Sequence, residues 1–154
     1  MNKIKPIDKN ILRLMQDENL CVPRITKIAH RLRVPTSSVQ SRINKLQAAG
    51  VIKGFTVLVD PEKLDKSYVA FVFGQAKLGK EVDLDKPAEL LAKIPEVQEV
   101  YFITGEYDYL VKVRVKDQQE YYGVIQKIAR CFDVRGKGLV APKCFKDTQK
   151  IVID

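Results

Sequence analysis

Five residues within one short stretch, Ser37, Ser38, Gln40, Ser41 and Asn44, bring neutral hydrogen-bonding side chains together with no acid, base or nucleophile partner beside them. Hydroxyls and amides of this kind suit recognition of base edges: Gln and Asn can pair with adenine, and Ser with several bases. Six fixed positive charges stand around them, Arg24, Lys27, Arg31, Arg33, Arg42 and Lys45, and guanidinium and ammonium groups suit phosphate oxygens. Turnover chemistry has little to work with. The only histidine, His30, lies between Ala29 and Arg31, so neither a two-His metal box nor a Ser/His/Asp set can be assembled, and no glycine loop is spaced to cradle phosphates. Catalytic residues, metal and cofactor are therefore expected to be none, and His30 is expected on a surface.

Two helices must position these side chains. In RITKIAHRL the apolar Ile25, Ile28, Ala29 and Leu32 recur at the spacing of one helical face, and Val39, Ile43 and Leu46 do the same in TSSVQSRINKLQAAG. Arg33-Val34-Pro35 separates them, and Pro35 cannot continue a helix from behind. Two helices joined so tightly predict a helix-turn-helix, whose second helix enters the major groove of double-stranded DNA. With Val39, Ile43 and Leu46 inward, Ser37, Ser41, Asn44 and Ala48 point away from the core, flanked by Ser38, Gln40 and Lys45. Ile7, Ile11, Leu14 and Met15 predict a preceding helix that closes a small core, with Asp8 near the positive end of its dipole.

Charge follows the same partition. Residues 1–54 hold 11 Lys and Arg against 3 Asp and Glu, which is the whole net charge of +8, while residues 55–154 balance at 16 and 16. A polyanion partner accounts for this asymmetry, because each cation placed on a phosphate releases condensed counterions. No apolar run approaches the ~20 residues of a membrane span. The segment MNKIKPIDKN lacks the apolar stretch of a signal peptide, and Cys21, Cys131 and Cys144 form neither an even set nor a CxxC pair. A cytoplasmic protein with free thiols is expected.

Beyond the basic segment the period changes. Gly50 suits a helix C-cap, Val51 to Asp60 reads as a connector strand, and Asp60-Pro61 ends it. Strand patterns at 68–77, 97–103, 107–115, 138–146 and 150–153 alternate with helical ones at 86–94 and 118–132. The order β-α-β-β-α-β predicts the split βαβ, or ferredoxin-like, arrangement. The fold class is thus α+β: a helix-turn-helix domain at 1–54, a connector at 55–66, and a βαββαβ domain at 67–154. Helices cover one face of such a sheet, yet Val69, Phe71 and Phe73 alternate with Tyr68, Ala70 and Val72 to make the first strand apolar on both faces. A second copy packed sheet to sheet would cover the other face, giving a homodimer; the alternative cover is the connector and the C-terminal tail.

Taken in order, Val39, Arg42, Ile43, Leu46, Gly50, Val51, Ile52, Gly54 and Phe55, followed by a βαββαβ domain carrying Thr104-Gly105-Glu106-Tyr107-Asp108, resemble the leucine-responsive regulator/AsnC, or feast/famine, family of transcription regulators. The resemblance spans Ile7 to about Val152. It implies DNA-binding dimers that assemble further, up to octamers, with amino-acid effectors bound between dimers. It also implies an effector site at Thr104, Gly105, Tyr107 and Asp108. Gly105 would permit a tight turn exposing backbone N–H groups to a carboxylate, and Asp108 could take an ammonium group. A purely structural turn capped by Asp108 is the alternative.

Two departures from the family pattern stand out. Pro35 replaces the usual hydroxyl residue before the second motif helix, so either Pro35 occupies the first turn or Thr36 caps it. The last strand reads VRGKGLVAPKCF, with Gly136, Gly138 and Pro142 where a plain β run belongs. Two other functions share parts of this pattern: an architectural DNA-coating protein without effector, and a siroheme decarboxylase-like enzyme, which would want histidines or cations around a tetrapyrrole.

Overall fold

A computed structural model describes residues 5–17, 24–55, 58–76, 83–131 and 136–153, and the chain divides into two compact units, residues 1–58 with 147–154, and residues 59–146. The tail at 147–154, read from sequence with the C-terminal domain, thus groups with the N-terminal unit. Among the described residues no helix is long and apolar enough to cross a membrane.

The N-terminal unit is built on α1 (Pro6–Asp17), α2 (Ile25–Leu32) and α3 (Thr36–Ala48). Their apolar stripes meet in one core: Ile11, Met15, Ile28, Ala29, Val39 and Ile43 are buried, with Ile7, Leu14, Ile25, Leu32, Val34 and Ile52 packed against them. Both motif helices end on the same backbone device. The Gly50 amide donates to the Gln47 carbonyl and Val51 to Leu46, while Arg33 donates to His30 and Val34 to Ala29, the paired bonds of a Schellman ending. That ending needs a left-handed residue. Gly50 supplies it at φ +68°, but the first helix uses Arg33 at φ +54°.

Pro35 adopts neither expected role. It is the N-cap itself (φ −60°, ψ 144°), has no side chain to cap with, and places Thr36 as the first helical residue. Its carbonyl accepts from Ser38 and Val39.

In the second unit a short 3-10 turn (Glu62–Leu64) precedes β1 (Tyr68–Gly74), α4 (Asp85–Ala92), β2 (Val97–Phe102), β3 (Tyr109–Val115), α5 (Gln118–Ala129) and β4 (Lys137–Ala141). The antiparallel sheet runs β2-β3-β1-β4, the ferredoxin-like order expected. Tyr109, Val111, Val113 and Val115 alternate inward, where Leu91 of α4 and Val124 and Ile128 of α5 bury them. Asp117 caps α5 by accepting from the Glu120 amide at 2.9 Å. Glu120 answers by accepting from the Lys116 amide and, with both oxygens, from Lys66 Nζ at 2.7 and 2.9 Å. The segment entering β1 is thereby fastened to the start of α5.

Three expected strands change. The described residues of the connector, 51–55 and 58–60, are irregular, as are 150–153, and β4 stops at Ala141. Pro142, lacking an N–H, ends β4. Gly138 has a packing cause: it pairs with Val72 on the helix side of the sheet, and a Cβ there would press into the Tyr121 hydroxyl.

Candidate nucleic-acid interface and effector turn

The outer face of α3 holds the hydrogen-bonding residues picked out in the sequence. Ser37, Gln40, Ser41, Asn44, Lys45 and Ala48 line one open hollow of about 530 Å³. All six are exposed, while Ser38 is half-buried at the flank. Gln40 Nε2 donates to Asn44 Oδ1 at 2.8 Å across one helical turn. Arg24, Lys27, Arg31 and Arg33 are exposed on and beside α2, as is His30, which with Thr26, Arg33 and Thr36 lines a second hollow at the turn between the helices.

Arg42 makes an ion pair within the N-terminal unit. Its Nη1 donates to Asp8 Oδ1 at 2.9 Å, and the two side chains are only 34% and 15% exposed. The guanidinium ties α3 to the first turn of α1 and is engaged within the protein. Helical projection carried a signal of this: Arg42 directly precedes Ile43 and follows Val39 by three, so it borders the buried stripe rather than the outer face.

The Thr104–Asp108 segment forms the turn between β2 and β3. Ile103 N–H donates to the Asp108 carbonyl at 2.8 Å, and Asp108 N–H to Gly74 O at 3.0 Å. Gly105 has φ +137°, a conformation that only glycine adopts without strain. Thr104 and Gly105 are exposed, whereas Tyr107 and Asp108 are half-buried. The Tyr107 ring lies 5.5 Å from that of Phe73, and burial, then the neighbouring Glu106 charge, pushes its phenol pKa up. Asp108 Oδ2 accepts from the Ala76 amide at 2.8 Å, and Gln75 Nε2 donates to the Glu106 carbonyl at 2.7 Å. The turn is thus stitched to the end of β1. Sequence reading missed this stitching, because Gln75 and Ala76 are remote in sequence and carry no motif.

On the sheet face opposite the helices, Val69, Phe71 and Phe73 of β1 stand beside Leu110, Lys112 and Arg114 of β3 and Leu139 of β4. Tyr101 and Leu139 are exposed at 50% and 45%. Polar groups border this apolar patch: Glu99 accepts from Lys112 Nζ at 3.0 Å and from the Tyr101 hydroxyl at 2.8 Å.

Residues 69–136 match the Lrp/AsnC ligand binding domain. The chain is 36% identical over 152 residues to the HTH-type transcriptional regulator FL11 of Pyrococcus horikoshii, covering 96% of this chain and 95% of that one. It belongs to the Lrp/AsnC family of transcription regulators. Solved Lrp/AsnC structures share its architecture: an AsnC family transcriptional regulator from Agrobacterium tumefaciens superposes with a TM-score of 0.86 at 25% identity, covering 97% of each chain. A feast or famine regulatory protein from M. tuberculosis, complexed with L-methionine, gives 0.84 at 27% identity, with 99% of this chain and 100% of that one covered. The Lrp/AsnC assignment thus rests on both units, since these matches run through the helix-turn-helix as well as the βαββαβ unit.

Proposed function

We propose that this regulator reads double-stranded DNA with the outer face of α3 and responds to an amino acid held at the Thr104–Asp108 turn, working as a homodimer in the cytoplasm. The observation that carries the DNA reading is the composition of that face: Ser37, Gln40, Ser41 and Asn44 share one open surface within the segment that holds the chain's whole charge excess. Base edges take the neutral groups, and Lys45, Arg24, Lys27, Arg31 and Arg33 take phosphates. Arg42 serves the interface indirectly by holding α3 against α1. Residues 1–54 are then the DNA-binding domain, 55–66 the connector, and the βαββαβ unit the sensing and assembly domain.

Support for the effector comes from the methionine-bound relative and from the turn itself. Gly105 leaves backbone N–H groups open to a carboxylate, and with Oδ2 of Asp108 bonded to Ala76, Oδ1 is the atom placed for an α-ammonium. The half-exposed apolar sheet face supports sheet-to-sheet pairing of two copies, which would present two α3 helices to two half-sites of a palindrome. Differential binding of effector to one assembly over another, typically about 1–3 kcal/mol, would change DNA occupancy.

Selection of bound duplexes from random DNA tests the DNA reading: a palindromic consensus is expected, and its absence would leave a coating protein. A melting-shift screen against the twenty amino acids tests the effector, with a shift expected for at least one and lost in Asp108→Ala. Indifference to all twenty would overturn it.

A further inference from the structure

We infer that Gln40 and Asn44 act as one recognition unit that reads a single A·T pair in each half-site, rather than as two independent readers. The inference rests on α3 being the DNA-reading helix. Residues four apart on a helix are separated by about 6 Å along its axis, from a rise of ~1.5 Å per residue. Base pairs stack at ~3.4 Å, so two independent amides at these positions would address different base pairs. The bond from Gln40 Nε2 to Asn44 Oδ1, at 2.8 Å, draws the two side-chain ends together within the span of one base pair. It also fixes both rotamers in advance, so less side-chain freedom is lost on binding.

The bond decides what the pair offers outward. Once one amide has donated to the other, Gln40 keeps its carbonyl and one N–H, and Asn44 keeps its NH₂ and one lone pair, so the pair can offer an acceptor from Gln40 together with a donor from Asn44. Adenine presents the complement in the major groove, an N6 donor next to an N7 acceptor. Guanine presents two acceptors, O6 and N7, which N–H groups alone can meet, and would leave the Gln40 carbonyl without a donor. Both side chains are exposed and outside the helical core, so removing either should leave folding intact.

The test is selection from random duplex DNA with the full chain and with Gln40→Ala, Asn44→Ala and the double variant, followed by affinity measurements on the wild-type consensus and its single-base changes. The expected result is a wild-type consensus in which both single variants lose preference at the same A·T position, each by about tenfold or more, as for one bidentate contact. The double variant should lose no more than either single one. Relaxation at two different positions, or losses that multiply in the double variant, would overturn the coupled unit while leaving DNA recognition by α3 standing. A wild-type chain that selects no consensus would instead remove the reading on which the inference rests.

Discussion

Replacing Gly138 by alanine should destabilise the βαββαβ unit, and Tyr121→Phe should abolish that cost. In an unobstructed strand the alanine would gain about 0.5–1 kcal/mol from reduced backbone entropy of the unfolded chain. Here the added Cβ points into the Tyr121 hydroxyl, while the next atom of that ring, Cζ, is 3.7 Å away, an ordinary contact. Tyr121 has little room to yield, because its half-buried ring lies 5.5 Å from that of Tyr68. Overpacking of this size costs about 1–3 kcal/mol, so the net loss in the tyrosine background should be about 1–2 kcal/mol. In the phenylalanine background only the Cζ contact remains, and Gly138→Ala should be neutral or stabilising by up to about 1 kcal/mol. Chemical denaturation of the four proteins gives the cycle directly, and the coupling should be about 1–3 kcal/mol. By melting, each kcal/mol should move Tm by about 4–8 °C for a unit of this size. An equal loss in both backgrounds would refute the steric argument and make Gly138 a requirement of the backbone alone.

Three further outcomes follow from the geometry. Asp8→Asn and Arg42→Gln should each cost about 0.5–1.5 kcal/mol in the N-terminal unit, as for a partly exposed charged hydrogen bond; Arg42→Gln should leave the salt slope of DNA binding unchanged, whereas Lys45→Gln should reduce it by about 0.9. Arg33→Gly relieves a left-handed arginine at φ +54°, so it should raise stability by about 0.5–1 kcal/mol while weakening DNA binding, two effects separable by melting and anisotropy. Glu120 is held below the ordinary carboxylate range, first by its hydrogen bonds from Lys66 and then by the Lys116 amide. The unfolded chain therefore takes up this proton at higher pH than the folded one. The stabilisation is complete above the ordinary glutamate value of about 4.3 and is lost as pH falls through the lower folded value. Urea titrations should show the wild-type advantage over Glu120→Gln in full at pH 7 and shrinking below about pH 4; a pH-independent difference would contradict this.

Periodicity made the helices and the sheet order legible, because burial imposes a period near 3.6 on one stripe and 2 on the other: Val39, Ile43 and Leu46 are buried together, and so are Val111, Val113 and Val115. Features that depend on a partner distant in sequence were not legible. The connector and tail have strand-like composition, yet their described residues are irregular. Gly136 and Gly138 look like loop residues, but at the edge of this sheet Gly138 makes room for Tyr121 and a Cβ at Gly136 would sit 3.1 Å from the Phe73 carbonyl. At the candidate sites, residue types revealed which side chains could meet DNA or an effector. The Asp8 bond to Arg42 and the Ala76 bond to Asp108 required the fold.

Sequence-specific DNA recognition by this regulator would depend most directly on the outer face of α3. The decisive measurement is fluorescence anisotropy of the wild-type chain and a Ser37/Gln40/Ser41/Asn44→Ala variant on the selected duplex and on a scrambled one, over a range of salt. Loss of these four side chains should bring affinity for the selected duplex down to the scrambled level with the salt slope unchanged, since the phosphate-facing cations remain. A variant that still prefers the selected duplex as strongly as wild type would contradict the account.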